Sequence, residues 1–172
     1  MYKGFADDDV RVRKVACLCL SQFSENFSDI TEYHEQVIPL LLRAMNEDDA
    51  EVQERACYSL VAYLENLDER VVKYSDMLMT RLIDLLRKGN KDIQEMAISG
   101  ISAVASCAKQ SFMTYYTPVM EMMKQLMTIT HHDQLLLRSR ATECAGIVAL
   151  AVGKENFRVS ILMFDSMMQI RY

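Results

Sequence analysis

Three histidines and five cysteines are the residues of this sequence whose types could support metal binding or catalysis. His131, His132 and Asp133 are adjacent, but neighbouring residues on a helix point about 100° apart, and no further ligand falls at a chelating offset on the same face. Cys17 and Cys19 are separated by one residue, which is not the spacing of redox or zinc motifs. No glycine-rich phosphate loop occurs. We therefore expect no catalytic site, metal or cofactor, and interpret residues 131–133 as a solvated connection.

The composition narrows the class of protein. The chain has 172 residues, 51% of them apolar, which is enough for a buried core, and its formal charge is −5. An acidic balance argues against general nucleic-acid binding, which needs lysine and arginine against phosphate. Five glycines and two prolines are too few for a fold with many tight hairpins. No apolar run reaches the ~18 residues of a membrane span, and five cysteines within apolar helical patterns favour a reduced, intracellular chain.

One helical pattern returns four times along the chain. The stretch that begins at Val12 is followed by similar stretches at Val52, Ile93 and Leu137, at spacings of 40, 41 and 44 residues. A period in this range is typical of helical repeat arrays. The four stretches predict helices over about 10–26, 50–66, 91–108 and 134–152, which we call the repeated helices. In the first of them Val12, Ala16, Cys19, Leu20 and Phe23 form one apolar face, which we expect to make the stack.

A second family of helices lies between the repeated ones. Tyr33, Tyr74 and Tyr115 are each 41 residues apart, and Leu41, Leu82 and Met123 follow the same register. The apolar periodicity predicts these intervening helices over about 32–45, 70–87 and 110–128, and a last one over 155–172. Pro39 and Pro118 should kink their helices or delay their starts. We expect Gly89 to end its helix in the left-handed conformation.

The two families predict an all-α fold, an α-solenoid. Neither helix of a pair can bury its apolar face alone, so the pairs must stack. Small residues repeat at two positions of the repeated helices and would let neighbouring helices approach closely. These positions hold Ala16, Ala56, Ala97 and Ala141, and Cys19, Ser59, Gly100 and Cys144.

The repeated helices resemble those of HEAT-repeat proteins. The family pattern of a valine, an arginine and then small and aliphatic residues is present from Val12 to Leu20. The arginine is kept at Arg13 and Arg138 but is replaced by Gln53 and Gln94 in the middle copies. The resemblance implies about four helix pairs in one solenoid spanning 1–172. Its parts would be a second helix at 9–26, repeats at about 31–66, 70–108 and 110–152, and a first helix at 155–172, so that both ends are incomplete.

A narrower resemblance is to the importin-β (karyopherin-β) nuclear transport receptors. The stretch from Asp9 to Phe23 is similar to their middle repeats, and the stretch from Leu137 to Phe157 resembles a repeat of the importin-5 (importin-β3) branch. Members of that family are several times longer. The resemblance implies a middle segment of a receptor found in the cytoplasm, the nucleus and the nuclear pore. It also implies no enzymatic activity, and RanGTP and Phe-Gly nucleoporins as partners of the intact protein.

Carboxylates collect on the side of the repeated helices opposite the small residues. In HEAT arrays these helices line the concave surface, so the resemblance implies an inner surface rich in glutamate, where charge-assisted hydrogen bonds would hold lysine or arginine. We predict partner-binding residues at Glu25, Glu54, Tyr58, Glu65, Glu95 and Glu143. The expected function is the binding of basic protein cargo for nuclear import. The alternative is a HEAT scaffold subunit of a phosphatase or kinase complex.

Overall fold

The computed structural model describes residues 2–153 and 155–156. Over these residues the chain forms helices and no strands, so the predicted all-α class is confirmed. None of the helices described is long and apolar enough to cross a membrane. The predicted last helix, 155–172, lies outside the described residues apart from its first two. The α-helices are α1 Val10–Asn26, α2 His34–Met45, α3 Ala50–Leu64, α4 Ser75–Lys88, α5 Lys91–Ala108, α6 Met113–Met127 and α7 Leu135–Val152.

The helices form two layers. The repeated helices α1, α3, α5 and α7 pack side by side in chain order, and the intervening helices α2, α4 and α6 each pack on the repeated helix that follows. The core between the layers includes the fully buried Ala56, Ala97 and Ala141. A Cβ on Gly100 would lie 2.7 Å from Leu82 Cδ2, so the small residue is what lets α4 approach α5. The predicted role of the small positions in close packing holds at this contact.

Polar side chains fix the starts of three repeated helices. Asp9 Oδ1 accepts from the backbone N–H of Arg11 at 2.8 Å, and Asp49 Oδ1 accepts from that of Val52 at 3.0 Å. Asn90 caps α5 in the same way. These acceptors satisfy N–H groups that the first helical turn leaves unpaired. The helix starts are therefore set locally, which is why α1, α3 and α5 begin where the sequence predicts.

The arginine position of the HEAT pattern keeps its contact when glutamine replaces it. Each of the four side chains donates to a backbone carbonyl shortly before its own helix, and three of these carbonyls lie in the preceding connection while that of Leu86 lies in the last turn of α4. The contacts are Arg13 to Asp7, Gln53 to Glu47, Gln94 to Leu86 and Arg138 to Ile129. Arg13 also reaches the Glu47 carboxylate of the next connection, at 2.9 Å. Glutamine preserves the hydrogen bond within a repeat but supplies no charge for the bond between repeats.

The intervening helices begin later than their apolar pattern predicts. Short 3-10 segments, Ser28–Tyr33, Glu69–Tyr74 and Lys109–Phe112, precede α2, α4 and α6. Pro39 and Pro118 lie within α2 and α6, where they cannot donate to the carbonyl four residues earlier. The late starts leave both prolines in the second helical turn. The prediction of a delayed start was therefore right, and the predicted boundaries were too early.

The apolar face predicted for α1 was wrong in part. Ala16 and Leu20 are buried, but Val12 is 40% exposed and Phe23 is 44% exposed. Their repeat equivalents on α3, Val52 and Tyr63, are fully buried because α1 packs against that side of α3. No repeated helix precedes α1 among the described residues. The helix instead buries Cys17, Ser21 and Ser24 against α3.

The conformation predicted for Gly89 was also wrong. Gly89 has φ −69° and ψ 161°, which is extended backbone. The residue is constrained by space, because a Cβ there would lie 2.6 Å from the Leu85 carbonyl oxygen and 2.5 Å from Ile93 Cγ2. Positive φ angles occur in the described residues at Gly153, 87°, and Lys109, 49°.

Candidate functional site

A groove crosses three of the repeated helices, α3, α5 and α7. It encloses about 510 Å³ between α3, α5 and α7, and we call it the serine groove. Its floor is Ser99, Ser102, Ala103 and Ser106 of α5. The groove exists because α5 presents these small side chains between the larger ones of its neighbours, such as Val61 on α3 and Ile147 on α7.

The serine hydroxyls give the floor a defined polarity. Ser99 Oγ donates to the Glu95 carbonyl at 3.2 Å, and Ser102 Oγ donates to the Ile98 carbonyl at 3.1 Å. Each hydroxyl carries one hydrogen and two lone pairs, and its hydrogen is used within the helix. The lone pairs of the half-buried Ser99 face the groove, whereas Ser102 is only 8% exposed. The floor therefore favours ligand groups that donate hydrogen bonds, such as an ammonium, a guanidinium or a peptide N–H.

Carboxylates outnumber cations along the walls. Glu65 and Asp68 come from the connection after α3, and Glu143 comes from α7. Arg70 donates hydrogen bonds to Asp68 from its backbone N–H and from its side chain, and these lower the pKa of Asp68, the backbone bond more than the side-chain bond. Asp68 is therefore ionised at neutral pH. The two cations are Lys109, which lies 3.2 Å from Glu69, and Arg140, whose Nη1 lies 3.2 Å from Glu143. Glu65 makes no ion pair within the described part of the chain.

The structure brings some of the predicted site residues together and separates others. Glu65 and Glu143 face the same groove. Glu25 accepts a hydrogen bond from the Tyr58 hydroxyl at 3.2 Å, across the contact between α1 and α3. The charge of Glu25 raises the pKa of Tyr58, so this hydroxyl stays protonated at neutral pH. Glu54 is half-buried on α3.

The solvent-facing position predicted for Glu95 was wrong. Glu95 is 7% exposed, on a helix that packs against α3, α4 and α7. Its Oε1 atom is buried without a hydrogen-bond partner, and so is the Nε atom of Arg140 on α7. A buried polar atom without a partner costs free energy, so this pair is a strained point beside the groove.

Sequence reasoning missed Asp68, Lys109 and Arg140. Asp68 and Lys109 lie beyond the ends of α3 and α5, where helical offsets no longer apply. Arg140 lies one position after Ser139, the repeat equivalent of the predicted Glu54 and Glu95. Arg140 itself is the repeat equivalent of Arg55. A search for charges flanking the serine column of α5 could have found Arg140.

The histidine pair considered for metal binding lies in an exposed connection, and all but one of the cysteines lie inside the core. His131, His132 and Asp133 are exposed in the connection before α7. The cysteines are free, and all but the half-exposed Cys19 are buried. Burial raises the pKa of Cys17 to about 12, so its thiol is protonated and unreactive. Within the described ranges no three His, Cys, Asp or Glu residues are placed to hold a metal ion.

The chain is similar to importins in sequence. Residues 7–144 match a family model described as importin subunit beta-1-like, TPR repeats. The chain is 31% identical over 155 residues to Importin subunit beta-3 of Saccharomyces cerevisiae, covering 88% of this chain and 14% of the relative. It is 32% identical over 158 residues to the Probable importin subunit beta-4 of Schizosaccharomyces pombe, covering 90% and 15%. Human Importin-4 is 32% identical over 157 residues, covering 88% and 14%.

The chain is also similar to solved structures of the karyopherin Kap121p. The crystal structures of Kap121p bound to Pho4p and bound to Nup53p each superpose with a TM-score of 0.87 at 28% sequence identity. In both, the match covers 96% of this chain and 16% of Kap121p. The HEAT solenoid predicted from the repeats is confirmed by these superpositions. The chain spans only about one seventh of the length of the relatives it matches.

Proposed function

This chain belongs to the importin-β family, and we propose that it is a segment of a nuclear transport receptor that binds basic protein cargo along its repeated helices. The carrying observation is the serine groove. Its floor offers hydrogen-bond acceptors, and its walls hold the carboxylates Glu65, Asp68 and Glu143. A lysine or arginine side chain matches both features, since it is a cation that carries only donors.

The related structures support a cargo role for this region. Kap121p has been crystallised bound to Pho4p, to Ste12p and to the extreme C-terminus of Cdc14p. Another Kap121p structure carries two aspartates and one glutamate changed to lysine, at positions about one repeat apart. By analogy, we propose that a peptide lies across successive repeated helices of this chain and places its basic side chains against the predicted residues, with Glu65 and Glu143 in the groove.

The proposal extends to the whole receptor. The segment would be one part of a single solenoid divided into repeats at about 31–66, 70–108 and 110–152. The intact protein would carry cargo from cytoplasm to nucleus, exchange it on binding RanGTP, and contact Phe-Gly nucleoporins through its intervening helices. Importins are transport receptors, so no catalysis is assigned to the chain. The alternative, a scaffold subunit of a phosphatase or kinase complex, gains no support from the family match.

A peptide titration tests the groove. A fluorescein-labelled lysine-rich peptide is titrated at low salt against the 172-residue chain and against the triple variant Glu65→Lys, Asp68→Lys and Glu143→Lys. We expect the triple variant to lose at least about tenfold in affinity, because attraction at the groove becomes repulsion.

The matched control carries the same change of charge away from the groove, as Asp29→Lys, Asp48→Lys and Glu121→Lys. These three residues are exposed and do not line the groove. We expect this control to keep most of the affinity. Absence of binding to the unmodified chain would remove the proposal, and equal losses in both triple variants would assign binding to net charge instead of the groove.

A further inference from the structure

The unpaired atoms of Glu95 and Arg140 lie on two helices that pack against each other. Oε1 of Glu95 on α5 is buried without a hydrogen-bond partner, and so is Nε of Arg140 on α7. Glu95 is more than nine-tenths buried, whereas Arg140 lines the serine groove and is 39% exposed at its side chain. A carboxylate and a guanidinium are complementary partners, so both atoms would be satisfied by the same contact.

The first pair of repeated helices indicates that these two positions can reach a common point. Lys14 on α1 and Arg55 on α3 are the repeat equivalents of Glu95 and Arg140. Both contact the Glu51 carboxylate, at 2.7 Å each, so the two side chains converge on one group. The equivalent of Glu51 on α7 is Leu136, which cannot bridge charges. No bridging carboxylate is needed between α5 and α7, because Glu95 stands on α5 where α1 carries Lys14. The Glu95 carboxylate can pair directly with the Arg140 guanidinium.

Arg140 is engaged elsewhere in the present structure. Its Nη1 lies 3.2 Å from Glu143 Oε2, one helical turn further along α7. This pair is exposed on both sides, and exposed ion pairs contribute little to stability. Arg140 therefore occupies one of the carboxylates of the serine groove through a weak bond, while the better shielded Glu95 carboxylate, on the neighbouring helix α5, has an oxygen without a partner.

We infer that Arg140 is the internal competitor of basic ligands in the serine groove. In the free chain it neutralises Glu143. A lysine or arginine side chain that enters the groove takes Glu143, and Arg140 turns to pair with Glu95. The exchange gives Glu95 Oε1 and Arg140 Nε a hydrogen-bond partner. The new pair offsets part of the free energy lost when Arg140 leaves Glu143. This inference rests on the proposed function for its ligand, and on Glu95 and Arg140 alone for its internal rearrangement.

Affinities of three variants test the competition, with the same lysine-rich peptide as probe. Arg140→Met introduces the residue that α5 carries at the equivalent position, Met96. We expect it to bind the peptide roughly three- to fivefold more tightly, because an exposed competing pair is removed. Glu95→Gln should bind more weakly by a similar factor, because Arg140 has no carboxylate to move to. The double variant should match Arg140→Met within about twofold, since Glu95 acts only through Arg140.

Two outcomes of the titration would overturn the inference. Weaker binding by Arg140→Met would mean that Arg140 holds the ligand. An undiminished effect of Glu95→Gln in the Arg140→Met background would mean that Glu95 contacts the ligand itself.

A measurement without peptide separates this inference from the proposed function. The ¹H–¹⁵N signal of the Arg140 Nε–H group, identified by its loss in Arg140→Met, is followed in the free 172-residue chain. Removing the competing carboxylate by Glu143→Gln should shift this signal and slow its exchange with water, and a further Glu95→Gln change should reverse both effects. A signal that does not depend on Glu95 overturns the rearrangement even if the peptide binds, and the expected dependence supports it even if no peptide binds.

Discussion

The contact between α1 and α3 is filled by side chains, whereas the equivalent contact between α5 and α7 leaves a groove. In the first, Lys14 and Arg55 converge on Glu51, Ser59 Oγ donates to the Cys17 carbonyl at 2.6 Å, and Asn66 donates to the Ser24 carbonyl at 2.8 Å. We call this the closed contact. In the second, which we call the open contact, serines leave a groove and two polar atoms stay unpaired. Side-chain size and charge, rather than the backbone, decide whether a contact is filled or left open for a partner.

The largest expected effect comes from breaking the closed contact. Tyr63 is fully buried, and its hydroxyl donates to the Ile30 carbonyl at 3.2 Å. We expect Tyr63→Ala to lower the free energy of unfolding by about 3–5 kcal/mol, because it leaves a cavity in the core. Thermal or urea unfolding measures this.

Two further variants serve as references for the loss at Tyr63. Tyr63→Phe should cost only about 1 kcal/mol, since it keeps the ring and loses only the hydroxyl, which is shared between the Ile30 and Thr31 carbonyls. Ile147→Ala, at the open contact, should also cost about 1 kcal/mol, because Ile147 already borders the groove. Equal losses for Tyr63→Ala and Ile147→Ala would erase the distinction between the two contacts.

The next effect comes from closing the open contact. Ser106 is exposed on the groove floor, so Ser106→Phe would fill the groove with little change in stability. We expect about a tenfold or greater loss of affinity for a lysine-rich peptide, which corresponds to ~1.4 kcal/mol or more. Ser139→Phe is the matched control, because Ser139 is exposed on α7 but does not line the groove. Retained affinity in Ser106→Phe would place the peptide elsewhere.

A smaller change in stability is expected from relieving the backbone strain at Lys109, beside the open contact. Lys109 follows α5, lines the groove and has φ 49°, a conformation that favours glycine. We expect Lys109→Gly to raise the free energy of unfolding by about 1 kcal/mol, which exceeds the small value of its exposed pair with Glu69. Lys109→Ala removes the same pair without relieving the strain. A stabilisation by alanine equal to that by glycine would contradict the strain.

The smallest effect is a pH dependence that arises at the closed contact. The hydrogen bond from Lys14 lowers the pKa of Glu51, and the Val52 backbone N–H and then Lys14 lower that of Asp49. A lowered folded-state pKa contributes stability above the ordinary carboxyl pKa, and this is lost as the pH falls through the lowered value. Lys14→Met should therefore flatten the fall in stability below about pH 4.5. Unfolding midpoints measured from pH 7 to pH 3 check this, with Lys91→Met as the control, because Lys91 is exposed and makes no ion pair within the described part of the chain.

The sequence predicted the features that depend on local interactions. The period gave the number and order of the described helices, and the aspartates and asparagine before α1, α3 and α5 set their starts, because capping acts within a few residues. Two of the carboxylates predicted from the repeat, Glu65 and Glu143, line the groove. The 3-10 turns before α2, α4 and α6 escaped prediction, because their apolar pattern continues that of the helix they precede.

Only the tertiary structure decided which side of each helix a neighbour covers. Val12 and Val52 share one position, yet Val52 is fully buried while Val12 is 40% exposed, and Glu95 is buried while Glu65 faces the groove. A helical offset fixes the angle at which a side chain leaves its own helix. Its exposure and its ion pairs depend on the residues that the next helix brings to that place, and those come from about forty positions away in the chain.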